Sequence, residues 1–207
     1  FRPDYADALV HLAGVLGTLK RHDEAIAAYR RAIRIRPDDA RAHKNLGIAL
    51  AKQEKLDEAI ASYAEALRLR PDFAEAHNDM GIALARRNRF ADAETSYRRA
   101  LEIRPNYAEA WNNLGNTLRN LARFDESIAA YDRAVTIKPQ YFDAYNNRGI
   151  AYAEQGRYPE AVDSYNRCLK LRPAHIDAHL NRALTWLRQG NFALGWAGYE
   201  TRLKKRN

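Results

Sequence analysis

Asparagine returns along this chain on a schedule. Asn45, Asn113, Asn147 and Asn181 are separated by multiples of 34 residues, and Asn78, Asn112 and Asn146 form a second series one place earlier. An amide side chain offers both a donor and an acceptor. That suits the backbone of an extended peptide without demanding a particular sequence. Three places after the first series stand Ile48, Ile82 and Ile150, with Asn116 in the equivalent place of another copy. Isoleucines beside amides would accept the apolar side chains of the same peptide. Arg119 and Asp143 flank the densest amide cluster, where they would add charge selectivity. Asparagine is a mediocre helix former, so its return inside helical patterns asks for a reason. Two reasons stand open: gripping a peptide, or bridging one copy to the next.

Other reactive side chains obey the same interval. His43, His77 and His179 share one register place, which suggests a metal site until Trp111 and Tyr145 are found in that place too. A place that tolerates tryptophan is a packing site. Neighbouring helices also lie about 8–10 Å apart, whereas a zinc ion needs its ligands at about 2 Å. Cys168 stands where Ala32, Ala66, Ala100 and Ala134 stand, and Tyr131 belongs to a series with Tyr29, Tyr63, Tyr97, Tyr165 and Tyr199. Both therefore read as packing residues, a buried free cysteine being in effect a small apolar group. No phosphate-binding glycine loop, paired-ligand motif or nucleophile elbow occurs. The expectation is no catalytic residue, no metal and no cofactor.

The interval itself is marked by proline. Pro3, Pro37, Pro71, Pro105, Pro139 and Pro173 are each 34 residues apart, and only Pro159 stands outside the series. A fixed period of this length marks a stacked-repeat architecture. With these prolines at position 32, the units run 6–39, 40–73, 74–107, 108–141 and 142–175, with a degenerate sixth at 176–207. Residues 1–5 read as the tail of a preceding unit, so the chain is expected to begin inside a longer array. Within the fourth unit Ala110, Trp111, Leu114 and Leu118 recur at helical spacing. A polar turn follows, and Phe124, Ile128, Tyr131 and Val135 repeat the pattern until Pro139 stops it. Each unit is thus helix, turn, helix, with Asp23, Asp57 and Asp125 placed to cap the second helix.

Here the chain resembles a known family. Trp111-x2-Leu114-Gly115, then Ala59-x3-Tyr63, Ala93-x3-Tyr97 and Ala161-x3-Tyr165, then proline, follow the pattern of the tetratricopeptide repeat. The resemblance implies an all-α, right-handed superhelical solenoid of about six units. It further implies that first helices line the inside of the superhelix, where partners are held. Ladders of asparagine on that face resemble those in the repeats of the eukaryotic O-linked N-acetylglucosamine transferase, which hold substrate polypeptides. The carboxylate clamp of chaperone-binding relatives is absent: Lys44 begins such a series, but Ile48, Asp79, Glu109 and Asn113 occupy its remaining places. In the sixth unit Gly190-Asn191-Phe192, Gly195-Trp196 and Tyr199-Glu200-x-Arg202 resemble the junction of bacterial tetratricopeptide proteins that continue into a glycosyltransferase-like domain.

Charge and composition bound the remaining classes. The net charge is +8, which could mean nucleic acid. Twelve of the 34 basic residues, however, are periodic: Arg2, Arg36, Arg70, Arg104, Lys138, Arg172 and Arg206 at position 31, and Arg21, Lys55, Arg89, Arg123 and Arg157 at position 16. Both places are expected at helix C-terminal ends, where cations complement the macrodipole, so no specific nucleic-acid partner is expected. A single cysteine excludes a disulfide framework and favours a reducing, cytoplasmic compartment. No apolar run is long enough to span a membrane. The sequence therefore points to a non-catalytic interaction scaffold whose partner is a protein or extended peptide segment. The rival is the substrate-selecting arm of a larger glycosyltransferase. Self-association through exposed array ends is a weaker third reading.

Overall fold

The structure, a computed structural model, describes residues 3–200. Arg2, Arg202 and Arg206 lie outside them. Among the described residues there are twelve α-helices and no strand. The chain divides into two compact units, one through Pro105 and one from Asn106. In the first unit, α1 (Pro3–Thr18) pairs with α2 (His22–Ile35), α3 (Ala40–Lys52) with α4 (Leu56–Leu69), and α5 (Ala74–Arg86) with α6 (Phe90–Ile103). In the second, α7 (Ala108–Asn120) pairs with α8 (Phe124–Ile137), α9 (Phe142–Glu154) with α10 (Tyr158–Leu171), and α11 (Ile176–Arg188) with α12 (Phe192–Glu200). Within each unit the second helix of a hairpin also packs on the first helix of the next. Each hairpin therefore has a neighbour's surface on which to bury its apolar stripe. This is the nearest-neighbour construction of a helical-repeat solenoid.

What closes a hairpin is a tyrosine seated on a glycine. Gly47, Gly81, Gly115 and Gly149 are so close to the rings of Tyr63, Tyr97, Tyr131 and Tyr165 that an added Cβ would lie 2.5–2.7 Å from ring carbons. The two helices can approach only because nothing projects from the glycine. The tyrosine rings are consequently buried to within 2% of complete. Position 8 is Ala13 in the first repeat, and there Tyr29 is slightly less buried, at 6%.

Turns within the hairpins share one conformation that the sequence pattern does not announce. Lys20, Glu54, Asn88, Ala122, Gly156 and Gly190 all occupy position 15 and all have φ between 58° and 79°. Only two of the six are glycine, the residue that enters this left-handed region without a steric penalty. The second helices then end at position 31, where the backbone of Arg36, Arg70, Arg104, Lys138 and Arg172 leaves helical geometry one residue before proline.

Two local expectations are corrected by contacts around the hairpin turns. Asp23, Asp57 and Asp125 do not cap the second helices; the residues at those N-caps are Arg21, Lys55 and Arg123, with no side-chain capping bond. The aspartates instead reach the next repeat, Asp23 accepting from Gln53 and Asp125 from Gln155 at 2.7 Å, while Asp57 pairs with Arg87 at 3.1 Å. The cations at position 16 therefore stand at helix N-termini, the opposite pole from that expected. Arg21, Arg89, Arg123 and Arg157 are held there by Glu24, Asp92, Glu126 and Glu160 of the following turn, at 2.6–3.0 Å. The first helix, α1, opens at Pro3. A proline is tolerated in a first turn, where its missing N–H would have no partner.

Candidate functional site

The first helices α3, α5, α7, α9 and α11 carry the amide series, and their geometry separates it into two kinds of residue. Position 5 points inward: Asn78, Asn112 and Asn146 are 4–7% exposed. Position 6 is only half-buried. In the second unit the two series meet across consecutive repeats. Asn147 Nδ2 donates to Asn112 Oδ1 at 3.1 Å, and Asn181 Nδ2 donates to Asn146 Oδ1 at 3.2 Å. Each bond satisfies a buried acceptor that would otherwise be stranded away from water. Bridging is thus a real task of these amides, and it commits Nδ2 of Asn147 and of Asn181.

The other members of the series fall in different surroundings. Asn116 accepts the hydroxyl of Tyr131 at 2.7 Å, so its amide is engaged with the core tyrosine of its own hairpin. Burial raises that phenol, pushing it up to about 12. Arg119 bonds Glu154 of α9 at 2.9 Å, which ties two first helices. Ile150 is half-buried against Ala153 and Tyr165. Asn113 is half-buried on α7. In the first unit Ile82 is 38% exposed and lines, with Ile48, an open trough of about 220 Å³ between α3 and α5. Asp79 also lines this trough, and burial raises its carboxyl above the ordinary aspartate value. Asn45 faces a second, larger cleft at the N-terminal ends of the same helices.

Histidine has a structural partner at each repeat. His43, His77 and His179 direct Nε2 to the carbonyls of Pro37, Pro71 and Pro173 at 2.8–2.9 Å. A carbonyl can only accept, so Nε2 carries the proton and donates. Cys168 is fully buried, and burial pushes its thiol up to about 11.

Two departures from the repeat pattern escape a motif-based reading. Position 7 is Leu12, Leu46, Met80 and Leu114, then Arg148 and Arg182. Arg148 bonds Asp132 at 2.6 Å and lies within 6 Å of the Tyr145 and Tyr152 rings. Arg182 bonds Asn166 at 2.6 Å and sits 4.7 Å from the Trp186 ring. Position 2 is acidic in every repeat except the second, where it is Arg41. Aligning the units against each other was the signal that would have shown both.

An array of helical hairpins with tyrosine-on-glycine locks, proline stops and amides along its first helices belongs to the helical-repeat scaffolds as a structural class. Family models described as tetratricopeptide repeat match residues 4–72, 44–108, 78–142 and 142–175. The chain belongs to the tetratricopeptide repeat family. No curated protein sequence matches it. Among solved structures it is similar to MamA, at 27% identity over 78% of this chain and 94% of that one, with a TM-score of 0.73. It is also similar to PilW, described as a widely conserved type IV pilus biogenesis factor, at 22% identity over 97% and 93% and a TM-score of 0.88. A third is YrrB, described as a TPR protein with an unusual peptide-binding site, at 24% identity over 82% and 88% and a TM-score of 0.69.

Proposed function

We propose that this chain is a non-catalytic scaffold that holds an extended protein segment against its first helices. The observation that carries the reading is the open trough between α3 and α5, where Ile48 and exposed Ile82 stand beside Asp79. An apolar side chain of the segment would enter there. In the second unit, taken by itself, the Oδ1 atoms of Asn147 and Asn181 would accept backbone N–H groups of a bound segment, their Nδ2 atoms being committed to the repeat ties. The likeness to YrrB, whose description names a peptide-binding site, supports the reading by analogy of fold.

Peptides selected from a random display library against the purified chain provide the test. The affinity of each is then measured for wild type, for Ile82→Ser and for Asn181→Ala. Loss of binding in folded variants is the expected result. Selected peptides whose affinity neither substitution changes would overturn the reading. Substrate selection for a glycosyltransferase is a second reading, favoured by α12, which leaves Phe192 and Trp196 56–61% exposed along one face. The same face serves self-association, which sedimentation at rising concentration would detect.

A further inference from the structure

Three of the repeats tie their two ends with a charge pair. The base at position 31 ends the second helix, and the acid at position 2 starts the first helix of the same repeat. Arg36 bonds Asp7 at 2.8 Å, Lys138 bonds Glu109 at 2.7 Å, and Arg104 bonds Glu75. In the fifth repeat Asp143 lies 3.6 Å from His175 instead, and Arg172 rests on the Phe142 ring. Only the second repeat has a base in both places, Arg41 and Arg70.

Those two arginines line one open cleft of about 530 Å³ with Lys44, Asn45 and Phe73. Among the described residues neither Arg41, Lys44 nor Arg70 forms a side-chain hydrogen bond or ion pair. Arg70 lies over the Phe73 ring, 3.2 Å from its centroid, and Lys44 Nζ is 5.5 Å from the same ring. The Arg70 Nε is buried without an acceptor. Two acids also border the cleft, Asp72 and Glu75. Glu75 is already bound to Arg104, and Asp72 is the other acid on the lining against three cations. Glu75 and a third acid, Asp79, both lie close enough to Lys44 to feel its charge.

We propose that this cleft binds a carboxylate side chain of an acidic peptide segment, which takes the place of the position-2 carboxylate that the second repeat lacks. The proposal rests on the reading that first helices hold an extended segment, since Asn45 places the cleft on the same helix face as the isoleucine trough. The set shares only Lys44 with the chaperone-type clamp considered above. Arg70 is preorganised by Phe73, so an incoming carboxylate meets a donor already fixed in place. Arg41 and Lys44, on α3, line the same cleft.

The test is a nuclear magnetic resonance titration of the isotope-labelled chain at low salt with acetylated, amidated oligo-glutamate. Oligo-glutamine of equal length and inorganic phosphate are the comparison probes. Shifts gathered at Arg41, Lys44, Asn45, Arg70 and Phe73 with oligo-glutamate, and none with oligo-glutamine, are expected. Arg41→Glu restores the acid found in the other repeats, so it should fold with an equal or higher melting temperature. It should also weaken oligo-glutamate binding roughly tenfold or more, the consequence of losing a charge-assisted bond. An Arg41→Glu protein that folds and binds as wild type overturns the proposal, as does a response to phosphate with none to oligo-glutamate. If library-selected peptides bind the first helices but are indifferent to Arg41→Glu, the scaffold reading stands and the carboxylate anchor falls. If oligo-glutamate shifts the cleft residues while Ile82→Ser and Asn181→Ala leave every selected peptide unaffected, the anchor stands and the scaffold reading falls.

Discussion

A tyrosine ring seated on a bare backbone is sensitive from both sides. Tyr97→Ala removes a ring that is 2% exposed and should destabilise the chain by roughly 3–5 kcal/mol. Gly115→Ala should act from the other side, since its Cβ would lie 2.6 Å from the Tyr131 ring and force that ring to move. Overpacking of this kind costs about 1–3 kcal/mol. Denaturant midpoints of the two variants check both figures, and an unchanged midpoint for either would remove the lock from the account. Cys168 is predicted to be inert while folded, because burial pushes its thiol up to about 11 and closes it to reagents. Alkylation at mildly alkaline pH should be slow in the native protein and fast in denaturant. The tyrosine series and the cysteine's packing role were legible in the sequence, because a place that repeats with one residue type declares its own environment. The half-buried arginines at position 7 were not, since what holds Arg148 is Asp132 on a different helix.

Helix positions, too, were legible, because proline and apolar spacing act over a few residues. The partners of the aspartates were not. Asp125 looked like a cap by local pattern, and its actual partner, Gln155, is 30 residues away. The asparagine stripe was legible as a stripe, but its division into buried position-5 and half-buried position-6 amides depends on which face of each helix meets the next repeat. That division makes a prediction at this scale. Asn147→Ala raises local helix propensity by a few tenths of a kcal/mol. It also leaves the Asn112 carbonyl buried without its donor, which costs about 1–3 kcal/mol. The net expectation is destabilisation, read as an earlier thermal transition. A variant as stable as wild type would show that Asn112 finds another donor and that the tie is dispensable.

Across the whole molecule, acid should weaken the array in two stages. Burial holds the His77 imidazole below its ordinary value, so the unfolded chain takes up that proton more readily. Its contribution is present above about pH 6.5, the unperturbed value, and is lost as pH falls through the lower folded-state value. The bond from Lys138 holds the Glu109 carboxyl low, so its contribution is present above about pH 4.3 and lost further into acid. Melting temperature should therefore be flat near neutrality, fall below about pH 6.5, and fall again below about pH 4.3. His77→Asn should remove the first fall and spare the second, and a variant that keeps both would show that another group sets the first. The turns carry a different consequence. Four of the six position-15 joints hold Lys20, Glu54, Asn88 or Ala122 in a backbone conformation that side chains resist. Glycine at such a joint should add about 0.5–1 kcal/mol after its own entropy is counted, with Ala122→Gly the cleanest case. The existing sequence thus sits below the stability its architecture permits. Selection has left that headroom unused in four places; at Ala122 a lineage or an engineer could draw on it directly, whereas at Glu54 the change would also give up the ion pair with Arg86 of the next repeat.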